Sequence, residues 1–343
     1  MEPLSERQEF ILSLVVREYI EAATPVSSKG LVERYNLDVS SATVRNDLAA
    51  LTEAGYLEQP HTSAGRKPSE TGYRYFVQRL IGEAELPIAE QNTITHQFYQ
   101  TRGDSEQWMR LAASVLAHHG RGASLVTAPR QQQARFKHLE LIATQGRMVL
   151  LVLVLNGGEV RQQMLTLAEP VTQEKLSAAA QRITNLCNGK DTESVNALIS
   201  SAAALEQDVL KLVADMMHKT EAYAAWDVFR DGVANVLAEP EFASSDSARQ
   251  ALRVLEERAY LEDFLTRAMA PTVGSVQVVI GGENAWQELK DCSMVLARYG
   301  VPGYATGAVG VLGPQRMPYG RAISTVRFVA GLMSNLIYEI YFE

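Results

Sequence analysis

From the N-terminus onward, apolar residues recur at helical spacing. Leu12, Val15, Val16 and Tyr19 fall at i, i+3, i+4 and i+7 and predict an amphipathic helix over Arg7 to Glu21. Pro25 ends the connection that follows. Ser27 and Ser28 can cap a second helix with Leu31, Val32 and Tyr35 facing inward, and Asn36 to Val39 makes a turn. A third helix opens at Ser40, whose hydroxyl can take an orphan backbone N–H, and closes at Gly55. Its apolar stripe is Val44, Leu48 and Leu51. Tyr56 to Gln59 reads as a short strand, Pro60 to Gly65 as a turn of small residues, and Arg66 and Lys67 stand side by side before Pro68. Three short helices, a strand and a basic turn are the parts of a winged helix-turn-helix.

Farther along, the period changes. Tyr73, Phe76, Val77, Leu80 and Ile81 predict an amphipathic helix leaving the wing, which Leu86-Pro87 breaks. Two polar helices follow, the second with Trp108, Leu111, Ala112 and Val115 on one side, before a bend at Gly120 to Gly122. Strands are predicted at Ala123 to Thr127 and at Phe136 to Ala143, where Leu139, Leu141 and Ala143 alternate with Glu140, Ile142 and Thr144. Met148 to Leu155 (MVLLVLVL) is unbroken apolar sequence, as in a central strand covered on both faces. Asn156-Gly157-Gly158 predicts a hairpin with Val160 to Leu167 as the returning strand, and Gln173 to Asn185 a covering helix. Thr192 to about Arg253 reads as helical with almost no strand signal, anchored by Trp226, Phe229, Val233 and Leu237 and broken at Pro240-Glu241-Phe242. Strands resume at Val276 to Ile280, Cys292 to Arg298 and Gly303 to Leu312, so the chain is expected to re-enter the earlier sheet around an inserted helical segment. A last helix carries Ile323, Val326, Ala330, Met333, Ile337 and Ile340 on one face.

Chemistry concentrates early. Opposite the stripe of the third helix lie Ala42, Thr43, Arg45, Asn46 and Ala49. Such a face suits the major groove: Arg pairs with guanine O6 and N7, Asn with adenine N6 and N7, and Ala or Thr methyls meet the thymine methyl. The chain has 343 residues, 46% of them hydrophobic, as in an ordinary globular protein of two or three domains. No stretch approaches the roughly 18 apolar residues of a membrane span, and the polar, acidic start carries no secretory signal, so a cytoplasmic location without membrane contact is expected. Net charge is −8, which disfavours a polyanionic partner until the charge is read locally. Between Pro60 and Leu80, Arg66, Lys67, Arg74 and Arg79 face Glu70 alone, so the wing is positive while the body is not.

Elsewhere the candidates are weak. Cys187 and Cys292 have no partner at metal-ligand spacing and read as small buried thiols, and the adjacent His118 and His119 sit in no metal motif. Gly303, Gly307, Gly310 and Gly313 invite a nucleotide cradle but lack the GxxxxGK[ST] pattern, so bends and close packing are the preferred reading. Glu283 and Asp291 have no accompanying histidine for acid–base work. Neither a cofactor, a metal nor a catalytic residue is expected, and the chain does not read as an enzyme.

PVSSKGL from Pro25, followed by SSATVRNDLAALTEAGYLEQPHTSAGRKPSETGYRYFV from Ser40, resembles the N-terminal module of the HrcA family of bacterial heat-inducible transcription repressors. Ile280 to Val295 (IGGENAWQELKDCSMV) and Gly310 to Ser324 (GVLGPQRMPYGRAIS) are similar to the same family near the C-terminus, and Gly232 to Phe242 matches it more loosely. Ser27-Ser28-Lys29 departs from the family's usual Gly-Ser-Arg, and Val44 to Asp47 from Ile-Arg-Asn-Glu. The resemblance implies an α+β multidomain fold: an N-terminal winged helix-turn-helix (residues 1–75), a helical linker (76–104), a discontinuous GAF-like α/β sheet domain (105–190 and 256–343) and an inserted, mainly helical dimerisation domain (191–255). It also implies repression of chaperone operons by a homodimer on an inverted-repeat operator named CIRCE, release on heat stress, and the GroE chaperonin as an assisting partner. The DNA-contacting set expected is Ser41, Ala42, Thr43, Arg45, Asn46, Ala49, His61, Thr62, Ser63, Arg66 and Lys67. The competing reading is a metabolic regulator whose GAF-like domain binds a small molecule and whose winged helix is only the output.

Overall fold

The computed structural model describes residues 4–61, 65–82, 85–101, 105–130, 134–156, 158–223, 227–243, 252–253, 255–269, 272–281, 289 and 291–342. Helix and sheet are mixed. Two compact units emerge, one from Met1–Ala128, Asp227–Tyr299 and Gly307–Leu336, the other from Pro129–Trp226, Gly300–Thr306 and Ile337–Glu343.

The first unit opens with three helices: α1 (Glu6–Ala22), α2 (Ser28–Tyr35) and α3 (Ser41–Glu53). Each starts where a serine can cap it. Ser5 and Gln8 form a reciprocal capping box on α1, while Ser27 and Ser40 accept from the backbone N–H groups of Gly30 and Thr43. Ile11, Leu12, Val15, Val16, Leu31, Val44, Leu48 and Leu51 form their shared core. Tyr35, expected inside, is exposed at the end of α2, where its hydroxyl donates to Glu18 at 2.6 Å and so keeps its polar tip at the surface. The wing follows as β1 (Leu57–Glu58) paired antiparallel with β2 (Lys67–Pro68), then α4 (Glu70–Tyr75) and a π-helical turn at Phe76–Leu80. Gly72 lets α4 approach the wing, since a Cβ there would stand 2.1 Å from the Tyr56 carbonyl oxygen.

Beyond the wing come α5 (Ile88–Gln100), α6 (Ser105–Gly120), β3 (Ala123–Thr127), β4 (Phe136–Ala143), β5 (Met148–Leu155), β6 (Val160–Thr166), α7 (Gln173–Cys187), α8 (Thr192–Leu198) and α9 (Ala204–Tyr223). The chain then continues through β7 (Val228–Asp231), α10 (Val233–Leu237), α11 (Arg258–Ala268), β8 (Val276–Ile280), β9 (Cys292–Val301), β10 (Ala305–Pro314) and α12 (Tyr319–Phe342).

Two sheets result where one was expected. The first unit holds five strands in the order β7-β3-β10-β9-β8, and the strands 136–166 form their own three-stranded sheet, β4-β5-β6, in the second unit. Residues 129–190 therefore group with α8 and α9, and the expected boundary at 190/191 does not fall between the two units. β7 adds a strand to residues 192–253, read as largely helical with almost no strand signal: its four residues pair with β3, from Thr127↔Val228 to Ser124↔Asp231. So short an edge strand is specified by that long-range pairing and not by its own sequence.

β10 is buried along its whole length, and β9 along most of it. Gly307 sits beneath the Tyr299 ring, where a Cβ would come within 2.5 Å of it, and the Tyr299 hydroxyl donates to the Thr127 carbonyl at 2.6 Å. Gly307 and Gly310 thus serve close packing, while Gly303 makes a turn at φ +78°. In the second unit, Leu139, Leu141, Val149, Leu151, Leu153 and Leu155 pack with Leu176, Ile183, Val209 and Val213 into one core. The expectation that Met148–Leu155 is covered on both faces fails: burial alternates along β5, and Leu150, Val152 and Val154 remain half-exposed. Ile142 and Met164, which flank Leu150 on the neighbouring strands, are 43% and 48% exposed, so this outer face carries an open apolar row, while Glu140 and Gln162 flank Val152 in the next one. Both cysteines are buried, and burial pushes the Cys292 thiol up to about 12.

Candidate nucleic-acid interface

α3 is locked from behind and exposed in front. Val44, Leu48 and Leu51 anchor it, and one polar residue joins them: Asp47, only 5% exposed. Its carboxylate accepts from Arg7 of α1 twice, Nε to Oδ2 at 2.8 Å and Nη2 to Oδ1 at 3.1 Å. This fork holds the Arg7 guanidinium above its ordinary pKa, first through the side-chain hydrogen bond and then through charge attraction. On the opposite side Ser41, Ala42, Arg45, Asn46 and Ala49 are exposed. Thr43 is half-buried, its hydroxyl 3.0 Å from that of Ser40. One helix face therefore offers a guanidinium, a carboxamide and small side chains together, as groove readout requires.

The wing behaves differently from its sequence. Gly65 carries the chain so close to α2's leader that a Cβ would lie 2.4 Å from the Val26 carbonyl oxygen, and Val26 and Arg66 exchange backbone hydrogen bonds at 2.7 and 2.8 Å. Arg66 is half-buried, and its Nε donates to the Thr52 hydroxyl at 2.9 Å, tying the wing to the end of α3. Lys67 meets Glu58 across the hairpin at 3.1 Å. The positive charge read from the sequence is thus partly engaged inside the protein. An exposed pair of this kind contributes little to stability, so a phosphate can displace Glu58 at small cost. His61 is exposed. Thr62 and Ser63, at the tip, lie outside the described residues, as does most of Gly282 to Lys290.

Two residues outside the expected set stand out in this module. Arg7 braces the rear of α3; forty positions separate it from Asp47, so no local pattern could reveal the pair. Lys29, exposed in the first turn of α2, stands beside the capped N-terminus and is paired with Glu33 at 3.6 Å.

A trihelical module with a short two-stranded wing, an exposed polar helix face and a sheet-rich remainder defines a winged helix-turn-helix protein of the kind that reads duplex DNA. Residues 8–69 match the DeoR-like helix-turn-helix domain, and residues 106–323 match the HrcA protein C-terminal domain. The heat-inducible transcription repressor HrcA of Roseiflexus castenholzii is 45% identical over 98% of this chain and 96% of its own. That of Chloroflexus aggregans is 44% identical over 99% and 94%, and that of Dehalococcoides mccartyi strain BAV1 36% identical over 98% and 97%. The chain belongs to the HrcA family of heat-inducible transcription repressors. A crystal structure of a hypothetical protein shares the fold, with a TM-score of 0.63 at 22% identity over 98% of this chain and 100% of that one. These relatives agree with the reading of a regulator and not an enzyme.

Proposed function

We propose that the protein represses transcription as a homodimer on an inverted-repeat, CIRCE-type operator and is released on heat stress. The observation that carries this reading is α3: its rear is fixed by Leu48, Leu51 and the Arg7–Asp47 fork, while Arg45 and Asn46 face outward. Two such helices in successive major grooves read a palindrome. Ser41, Ala42, Thr43 and Ala49 supply close contacts on the same face, and His61, Thr62, Ser63, Arg66 and Lys67 line the phosphates. Replacing Arg45 or Asn46 by alanine is expected to weaken operator binding by about 1–3 kcal/mol and to leave binding to random DNA nearly unchanged, measured by fluorescence anisotropy on both DNAs. Equal losses on both DNAs reject base readout. Lys67→Ala is expected to weaken binding to every sequence and to reduce the salt slope by roughly one.

Self-association is supported by the open face of the β4-β5-β6 sheet, where Ile142, Leu150 and Met164 form an apolar row and Val152 follows between Glu140 and Gln162, a mixed surface of the sort found at interfaces. In this reading the five-stranded domain is the GAF-like body, residues 129–226 form the dimerising insert, and action is cytoplasmic. GroE as the chaperonin that keeps the repressor active rests on the family resemblance. One observation favours a ligand-responsive variant: a cavity of roughly 430 Å3 whose lining includes Leu86, Gln91, Arg327, Phe328 and Asn335. A metabolite that binds it selectively must raise the melting temperature of the intact protein.

A further inference from the structure

The loop between β10 and α12 holds the winged helix through one side chain. Arg316 is 11% exposed, and its guanidinium makes contacts in three directions. Nε donates to Glu241 Oε1 at 2.5 Å, and Nη2 donates to Glu241 Oε2 at 3.2 Å and to Glu239. Nη1 donates to the backbone carbonyl of Ile20 at 3.2 Å. Ile20 lies in the final turn of α1, where carbonyls have no partner within the helix and the helix dipole presents negative charge. That turn has no basic residue of its own. The cation that the end of α1 lacks is thus supplied from 296 positions away, by a residue whose direction is fixed by two carboxylates on the turn after α10.

Three residues on, Tyr319 adds a second contact with the reading module. It is fully buried, its ring centroid lies 5.9 Å from that of Tyr73 in α4, and its hydroxyl is held by Ser293 at 2.8 Å and by the Gln315 carbonyl at 2.6 Å. Tyr319 meets the module through an aromatic surface that tolerates tilt. Arg316 meets it through a planar fork that does not, because each donor is matched to one acceptor.

We propose that Arg316 is a positioning residue for operator binding: by clamping the end of α1 to Glu239 and Glu241, it sets the angle of the winged helix on the five-stranded body. In a dimer this angle fixes the separation of the two recognition helices and hence the half-site spacing the protein accepts. The inference rests on the dimeric, inverted-repeat reading above.

The test uses the full chain and a series of inverted repeats whose spacer changes in single base-pair steps over about half a helical turn. Wild type is expected to show one sharp optimum. In Arg316→Ala the affinity at that optimum should fall about tenfold, while affinity for other spacings and for an isolated half-site stays the same. Glu239→Gln combined with Glu241→Gln removes the anchor but leaves Arg316 and α1 intact, so it should flatten the profile likewise. Arg316→Lys, a cation without the fork, should fall between. A profile that keeps its shape in the variants, at wild-type height or uniformly lowered, overturns the proposal, because a general loss of folding acts on all spacings alike. If Arg316→Ala does not fold, the glutamine pair decides.

A wild type without any optimum counts against the inverted-repeat reading and not against the clamp, which is then judged without DNA. Spin labels at Glu33→Cys in α2 and Gln277→Cys in β8, with both native cysteines buried, report the distance between module and body. A broadened or displaced distance distribution in Arg316→Ala supports the clamp, and an unchanged distribution overturns it.

Discussion

The two larger sheets among the described residues are both antiparallel and both rich in aliphatic residues, but they end differently. β10, at the centre of the five-stranded sheet, is buried at every position from Ala305 to Pro314. β5, at the centre of the three-stranded sheet, is buried only at alternate positions, although its sequence is the more hydrophobic of the two. Hydrophobicity alone thus does not say how many layers cover a strand. Gly307 and Gly310 let Tyr299 and Leu296 close over β10, whereas Leu150, Val152 and Val154 remain half-exposed on β5. In one sheet the central strand is enclosed on both faces. The other presents an apolar face to water, at a cost of about 25 cal/mol for each Å2 left uncovered.

Substitutions can break or sharpen this contrast. The largest effect is expected from Leu151→Ala, on the covered face of β5, which should cost about 2–5 kcal/mol in chemical denaturation. Gly307→Ala should cost about 1–3 kcal/mol by forcing the Tyr299 ring aside, a measure of how tightly the five-stranded sheet is closed. Val152→Glu should change the stability of the unit by less than about 1 kcal/mol, since its side chain is half-exposed. It should nevertheless weaken self-association at least about tenfold in sedimentation equilibrium, because a carboxylate would replace apolar contact at the proposed interface. If Val152→Glu leaves association unchanged, the open face is not where the copies meet.

The reading module was legible because its signals are local. Ser40 caps α3, Gly55 takes φ +82° just beyond it, and Val44, Leu48 and Leu51 are buried as their spacing requires. The contacts that complete the interface are not local. Arg7 meets Asp47 across 40 positions and Arg66 reaches Thr52 across 14, so a tally of wing cations overstated the free charge. The division of strands between two sheets was illegible for a related reason. Alternation and length predict strands but not partners, and the hairpin at Asn156 pairs β5 with β6 whichever sheet they join. MVLLVLVL misled because a strand with one open apolar face has the same composition as one enclosed on both sides.

Between Ser41 and Ala49 the recognition helix has two ionisable side chains, and the inward turn of Asp47 leaves only Arg45 to meet a polyanion. Arg7 therefore works as an electrostatic shield. With Arg7 gone, a carboxylate would be stranded without its counter-charge on the helix proposed to meet DNA, and an N-terminal lesion is expected to act there as repulsion toward a polyanion.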